Sequence, residues 1–278
     1  RTVGAGMVDL DVVTPYVILG GLIGAILWTA LTSWLGLPIS CSHALFGGYA
    51  GAAMARVTQL QGLPSATSAL IWSGWMKTLL FMVLAPVLGL ALSYVYMVAI
   101  YWLFRHSSPK QMDVYFRRLQ LLSAAAYSYS HGTNDAQKTM GIIAGALYTA
   151  GYLPTFYVPF WVVLAAHAAI ALGTLAGGWR VVRTVGTRIT RLRPRGGFAA
   201  ETAAASSILI STALHVGVST THVIGGAIAG VGWAHRRKAG RWSVATRIVW
   251  AWILTIPASA AVAWLSYSLI YMGGFDPR

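Results

Sequence analysis

The sequence predicts an all-α polytopic membrane protein: an inverted-topology repeat with broken helices and two re-entrant hairpins. Three observations carry that prediction. Apolar runs long enough to cross a bilayer alternate with short basic clusters. Of the 278 residues 57% are hydrophobic and only 9% charged. One short motif also recurs in both halves. A soluble domain keeps about a quarter of its residues charged, so lipid is the solvent this composition suits, and the mean hydropathy of +0.65 agrees. The 30 glycines fall inside apolar runs, where they let helices approach closely.

In chain order, residues 12–35 form an apolar span that runs into Gly36-Leu37-Pro38, and residues 42–55 are an apolar piece of about half a span. Residues 56–67 read as a polar loop, and residues 69–104 as one long tilted or kinked helix carrying Lys77 and Pro86. Residues 119–150 are apolar but interrupted by His131-Gly132-Thr133-Asn134-Asp135, which predicts a broken helix. Residues 160–178 form a clean span. Residues 198–214 and 222–234 are two short apolar pieces around Val216-Gly217-Val218-Ser219-Thr220-Thr221, and residues 248–272 are a final span.

The net charge is +14, and fifteen of the twenty Lys and Arg lie in residues 105–118, 180–195 and 235–247. Clusters between apolar segments are how cytoplasmic loops look under the positive-inside rule. No basic groove interleaved with aromatics appears, which excludes nucleic acid as the partner. The segment 198–234 has basic loops at both ends, so it predicts a hairpin that enters and leaves on the cytoplasmic side. The single Cys41 excludes an intrachain disulfide and a zinc cluster, and no signal-peptide pattern opens the chain. No Walker loop or nucleotide fingerprint is present, so nothing points to ATP-driven pumping.

Ser40-Cys41-Ser42-His43 matches Ser219-Thr220-Thr221-His222, and the match continues at Gly47 and Gly51 against Gly226 and Gly230. Arg1-Thr2-Val3-Gly4 matches Arg183-Thr184-Val185-Gly186 in the same order. The charge of the flanks inverts between copies. We therefore divide the chain into a first repeat at 1–104, a cytoplasmic loop at 105–118 and a second, inverted repeat at 119–278. An inverted pair with matching breaks points to a midplane site and alternating access. The second copy carries its Asn-Asp motif ahead of Arg183, so the first copy is expected to have its own in a segment preceding Arg1.

The chemistry follows from the breaks. A half-helix beginning after Ser40, Cys41 and Ser42, and another after Ser219, Thr220 and Thr221, would turn free N–H groups and a positive dipole end toward each tip. Such termini bind anions, and two of them can surround a tetrahedral oxyanion with neutral donors. Serines and threonines also cap and glue helices without further function. Asn134 and Asp135 lie at membrane depth, where an ionisable residue defaults to function; they suit a coupling cation, which an anion needs against the membrane potential. Lys138 shares their helix face and either pairs with Asp135 or stands where another carrier would hold a metal cation. His43, His222 and His131 could bond the anion or relay protons, or simply pack. Gln137 is a further accessory candidate. Glu201 is a candidate for the inner mouth, or a helix N-terminal carboxylate. His167 and His215 are isolated.

Ser130-His131-Gly132-Thr133-Asn134-Asp135 resembles the signature of the inorganic phosphate transporter (PiT) family, including its bacterial low-affinity permeases. Val216-Gly217-Val218-Ser219-Thr220-Thr221-His222 and Leu37-Pro38-Ile39-Ser40-Cys41-Ser42-His43 resemble its two hairpin motifs. The resemblance implies a symporter of the plasma membrane that imports phosphate, with no resident metal or cofactor beyond a coupling proton or sodium. It implies phosphate at Ser40, Cys41, Ser42, Ser219, Thr220, Thr221 and Asn134, and the coupling cation at Asn134, Asp135 and Lys138. Cys41 replaces a usual hydroxyl, and Gln137-Lys138 replaces an Ala-Asn pair common in sodium-coupled members. A fixed ammonium there favours proton coupling or uptake of a neutral metal–phosphate complex. Sulfate is the nearest rival substrate. An intramembrane metal enzyme using His43, His222 and Asp135, or an anion channel, are rivals of other classes. Small-residue faces and the 12 tryptophans suit a homodimer in the lipid bilayer.

Overall fold

The computed structural model describes residues 6–188, 190, 192–214, 218–235 and 242–276. Among the described residues nine α-helices follow in order: α1 (Pro15–Leu35), α2 (Cys41–Gln61), α3 (Trp72–Leu103), α4 (Pro109–Thr149), α5 (Phe160–Ala176), α6 (Trp179–Arg183), α7 (Pro194–Ala213), α8 (Thr220–His235) and α9 (Trp242–Met272). The only β feature among these residues is an isolated bridge between Val8 and Leu70.

The fold requires lipid. α1, α3 and residues Ser243–Met272 are each long and apolar enough to cross a membrane, and α5 with the bent continuation at Trp179–Thr187 makes a fourth if counted as one span. In α3 the best window has a mean hydropathy of 2.2, yet only 17% of it is buried. Leu80, Val83, Val87 and Val95 are among its exposed side chains, and an apolar face of that size is untenable in water.

Capping chemistry sets the hairpin that starts the chain's first half. Thr14 accepts the Val17 N–H at 3.2 Å and Pro15 opens α1, as an N-cap followed by proline should. α1 ends at Gly36, whose φ of 71° permits the left-handed turn. The N–H groups of Gly36 and Leu37 then reach the carbonyls of Ser33 and Thr32, a Schellman closure. The chain returns as α2 against α1. A second hairpin, α7 and α8, packs on α3 and α4, whereas the first packs on α9.

The seating of the hairpins is exchanged between the halves. A Cβ on Gly47 or Gly51 of α2 would strike the backbone of Ile256 or Ala260 in α9. A Cβ on Gly226 or Gly230 of α8 would strike the carbonyls of Pro86 or Leu90 in α3. Each hairpin thus rests its glycine stripe on a long helix from the other half, and both long helices carry an internal proline, Pro86 and Pro257.

Three expectations need correction. The helix through His131–Asp135 is not broken: α4 runs for 41 residues. The Ser130 hydroxyl donates to Ala126 O at 2.7 Å and the Thr133 hydroxyl to Tyr129 O at 2.9 Å. These side chains fold back onto the helix rather than competing with it, and releasing backbone groups in an apolar setting costs several kcal/mol, more than the roughly 1 kcal/mol penalty of Gly132. The loop at 105–118 is also shorter than expected. Ser108, Pro109 and Gln111 form a capping box that starts α4, so Lys110, Arg117 and Arg118 ride on helix. Finally, α2 continues through the expected polar loop to Gln61, because Arg56 finds the Asp276 carboxylate at 3.4 Å. Arg1–Gly4 of the second sequence match, and His215, Val216 and Gly217 of the hairpin motif, lie outside the described residues.

Candidate functional site

The two hairpin tips and the middle of α4 meet at one place. At each tip a serine caps the returning helix. Ser40 Oγ accepts the His43 N–H at 3.2 Å, and Ser219 Oγ accepts the His222 N–H at 3.3 Å. The carbonyls of the same serines take the N–H groups of Ala44 and Val223. By helix geometry the N–H groups of Cys41 and Ser42, and of Thr220 and Thr221, are left without helical acceptors. Ser40, Ser42, Ser219 and Thr220 are buried, Thr221 is half-buried and Cys41 is exposed.

α4 supplies the charges. Asp135 Oδ1 accepts from Lys138 Nζ at 2.9 Å and from Asn134 Nδ2 at 3.1 Å. Its Oδ2 accepts from the Thr220 hydroxyl at 3.0 Å and lies 3.2 Å from His131 Nε2. Lys138 uses all three of its hydrogens: besides Asp135 it donates to Ser42 Oγ at 2.7 Å and to Val218 O at 2.8 Å. Asn134 also donates to Val218 O at 3.1 Å. One carboxylate and one ammonium therefore tie α2, α4 and α8 together.

Behind the tips the rings of His43 and His222 meet edge to face with centroids 4.6 Å apart, and His222 stacks on Trp252 at 3.9 Å. Pro86 cannot donate to the Met82 carbonyl, which is free to lie 3.4 Å from His222 Nδ1. His43 Nδ1 and His222 Nε2 are buried without hydrogen-bond partners among the described residues. The two imidazoles link the hairpins directly.

A match to the family described as the Phosphate transporter family covers residues 1–115 and 105–263. The chain belongs to the phosphate transporter family. A protein of Rhizobium meliloti (strain 1021) named "Probable low-affinity inorganic phosphate transporter" is 48% identical over 96% of this chain and 78% of its own length. A protein of Bacillus subtilis (strain 168) with the same name is 38% identical over 96% of this chain and 80% of its own. A solved structure called "The sodium-dependent phosphate transporter" superposes with a TM-score of 0.85 at 25% identity, covering 98% of this chain and 84% of that one. The family and these relatives are transporters, not enzymes, so the enzyme rival falls.

Within this phosphate transporter family member, the structure brings together Ser40, Ser42, Ser219, Thr220, Asn134, Asp135 and Lys138, with His131, His43 and His222 adjoining. Cys41 and Thr221 sit at the tips without a side-chain bond into the network among the described residues, and two further candidates stand apart from it. Gln137 is exposed, one residue away from the buried face that Asn134 and Lys138 share. Glu201 accepts from Ser123 Oγ at 2.6 Å and Gln120 Nε2 at 3.3 Å, twelve to fifteen residues before Asp135 on α4, or about 18–22 Å along the helix. It fastens α7 to α4 there.

Three participants escaped sequence reasoning. The Val218 carbonyl receives both Lys138 and Asn134, and its only signal is that the residue before an N-cap leaves its carbonyl outside the helix ladder. Tyr127, whose hydroxyl lies 3.4 Å from His131 Nδ1, sits one turn before His131 on the same face. Trp252 stacks on His222 and donates to Pro38 O at 2.9 Å, and nothing in its apolar run marks it.

Proposed function

We propose that this chain is a secondary transporter that imports inorganic phosphate with a proton rather than sodium as coupling ion. The observation that carries the proposal is the position of Lys138. Its ammonium is enclosed by a carboxylate, a hydroxyl and a carbonyl oxygen at 2.7–2.9 Å, the kind of hard oxygen set that an alkali or alkaline-earth cation takes. A permanent charge there leaves little room for sodium.

The oxyanion is held between the starts of α2 and α8, by the free N–H groups of Cys41, Ser42, Thr220 and Thr221 and by the hydroxyls of Ser42, Thr220 and Thr221. Lys138 and Asp135 link cation to anion. Ionised Asp135 occupies the ammonium; a proton arriving on Asp135, from water or through His131, weakens that hold and turns the charge of Lys138 toward phosphate. Proton and anion then bind together and leave together. The exchanged seating of the hairpins on α9 and α3 supports the inverted-repeat reading, with alternating access around the shared tips. A plasma-membrane setting with the basic clusters at the cytoplasmic face completes the proposal, and the exposed apolar helix faces suit lipid or a second copy of the chain.

The test is radiolabelled phosphate uptake into proteoliposomes with imposed proton or sodium gradients and excess sulfate as competitor. Uptake driven by a proton gradient, indifferent to sodium and resistant to sulfate, is expected. Sodium-stimulated uptake without proton movement overturns the coupling, and abolition by sulfate overturns the substrate.

A further inference from the structure

Away from the hairpin tips, a pocket opens between the last turns of α3, the end of α8 and the start of α7. Met97, Tyr101, Thr190, Arg193, Arg195 and His235 are among its lining residues. Arg195 is 8% exposed. A guanidinium has five N–H donors, yet among the described residues the partners of this one are the Met112 sulfur at 3.8 Å and the Tyr101 ring 5.6 Å away. Neither carries a charge. The ion pairs among the described residues involve only Asp135 and Asp276, so no carboxylate there neutralises Arg195 or its neighbour Arg193. A buried cation without a counter-charge is strongly disfavoured.

The backbone points the same way. α7 begins at Pro194 with Arg193 at the N-cap, and no side chain caps it. Gly197 N–H reaches Arg193 O at 2.9 Å, which leaves the N–H groups of Arg195 and Gly196 without helical acceptors. The start of a 20-residue helix, two guanidiniums, the Thr190 hydroxyl and the Tyr101 hydroxyl, itself 2.9 Å from His235 Nδ1, therefore surround one space. Arginine forks and helix N-termini both favour phosphate oxygens.

We propose that this pocket is a second anion site, separate from the hairpin tips, that takes a phosphate group through Arg193, Arg195 and the first turn of α7. Two sources carry that chemistry: the headgroup of an anionic phospholipid, drawn to the basic clusters beside the apolar helices, and free phosphate acting on the carrier from outside its transport path.

The experiment titrates the full chain, purified in zwitterionic detergent, with dioctanoyl phosphatidylglycerol and separately with inorganic phosphate, for wild type, Arg193→Gln and Arg195→Met. For one of the probes, binding at this pocket is expected to weaken about tenfold or more in both variants, as loss of a charge-assisted contact predicts. A loss confined to the lipid assigns the headgroup; a loss confined to a second phosphate step, with the first step unchanged, assigns free phosphate. Should Arg195→Met not fold, the exposed Arg193→Gln still reads the site. Binding of both probes unchanged by Arg193→Gln overturns the proposal. Absence of the first phosphate step instead counts against the hairpin-tip reading alone.

Discussion

Lys138 donates to the Ser42 hydroxyl across 2.7 Å, joining residues 96 positions apart. The middle of α4 thereby holds the first turn of α2, and through Val218 it holds the approach to α8 at the same time.

Removing that ammonium should be felt in stability and transport together. Lys138→Met keeps the length of the side chain but leaves the half-buried Asp135 without its cation, and loss of one partner of a largely buried pair costs up to about 3 kcal/mol. Thermal unfolding in detergent should show a lowered midpoint, and proteoliposome uptake should vanish. An unchanged midpoint would show that the pair contributes nothing to holding the tips.

Asp135→Asn separates shape from charge. The amide can still accept the Thr220 hydroxyl through its oxygen, so the shape of the site should survive, although buried Lys138 loses its counter-charge and the unfolding midpoint should fall. The coupling should not survive: phosphate uptake should no longer follow an imposed proton gradient. Gradient-driven uptake at wild-type rate in the variant would remove Asp135 from the proposed coupling.

Cys41 offers a chemical probe, since it is the chain's single cysteine and is exposed at the head of α2. A small methanethiosulfonate reagent should label it and block uptake, and saturating phosphate should slow the labelling several-fold. Labelling that is indifferent to phosphate would place the anion elsewhere than at this tip.

The glycines divide into two kinds, and substitution should tell them apart. Gly226→Ala places a Cβ against the Pro86 carbonyl and should lower the unfolding midpoint or prevent folding. Gly145→Ala meets nothing within 4 Å inside α4 and should raise stability by up to about 1 kcal/mol. Equal effects at both positions would refute the exchanged seating.

Asp276 closes the opposite end of the first hairpin. It accepts from the Tyr267 hydroxyl at 2.7 Å and the Thr14 hydroxyl at 2.9 Å, with Arg56 at 3.4 Å. Asp276→Ala leaves these donors without their acceptor, each at roughly 1–3 kcal/mol if it stays buried. Unfolding should begin at lower temperature, while phosphate affinity at the tips is preserved.

The hairpin tips were legible because capping chemistry is local: Ser40 and Ser219 each precede a glycine-rich apolar run by one step, and a hydroxyl in that place has few other uses. Asn134, Asp135 and Lys138 were legible because polar groups stand out in an apolar segment. The continuity of α4 was not, because Gly132, Thr133 and Asn134 weaken helices in water, and only an apolar surround reverses that balance. The start of α4 is spelled in the sequence, because Ser108 and Gln111 make a capping box with Pro109 at the first helical position, but within a stretch dominated by charge. The partners of Glu201 were not legible, because Gln120 and Ser123 lie 81 and 78 positions away, and spacing along the chain says nothing of that. The Val218 carbonyl has no side-chain signature at all.

The exchanged seating of the glycine stripes has a consequence for assembly. Neither half can shelter Gly47 and Gly51, or Gly226 and Gly230, with its own long helix, so each would enter the bilayer with a bare seam until the other arrived. A chain severed in the short stretch between α3 and α4 should still yield a working carrier when both pieces are made together, and two orphans cleared by proteolysis when they are made apart.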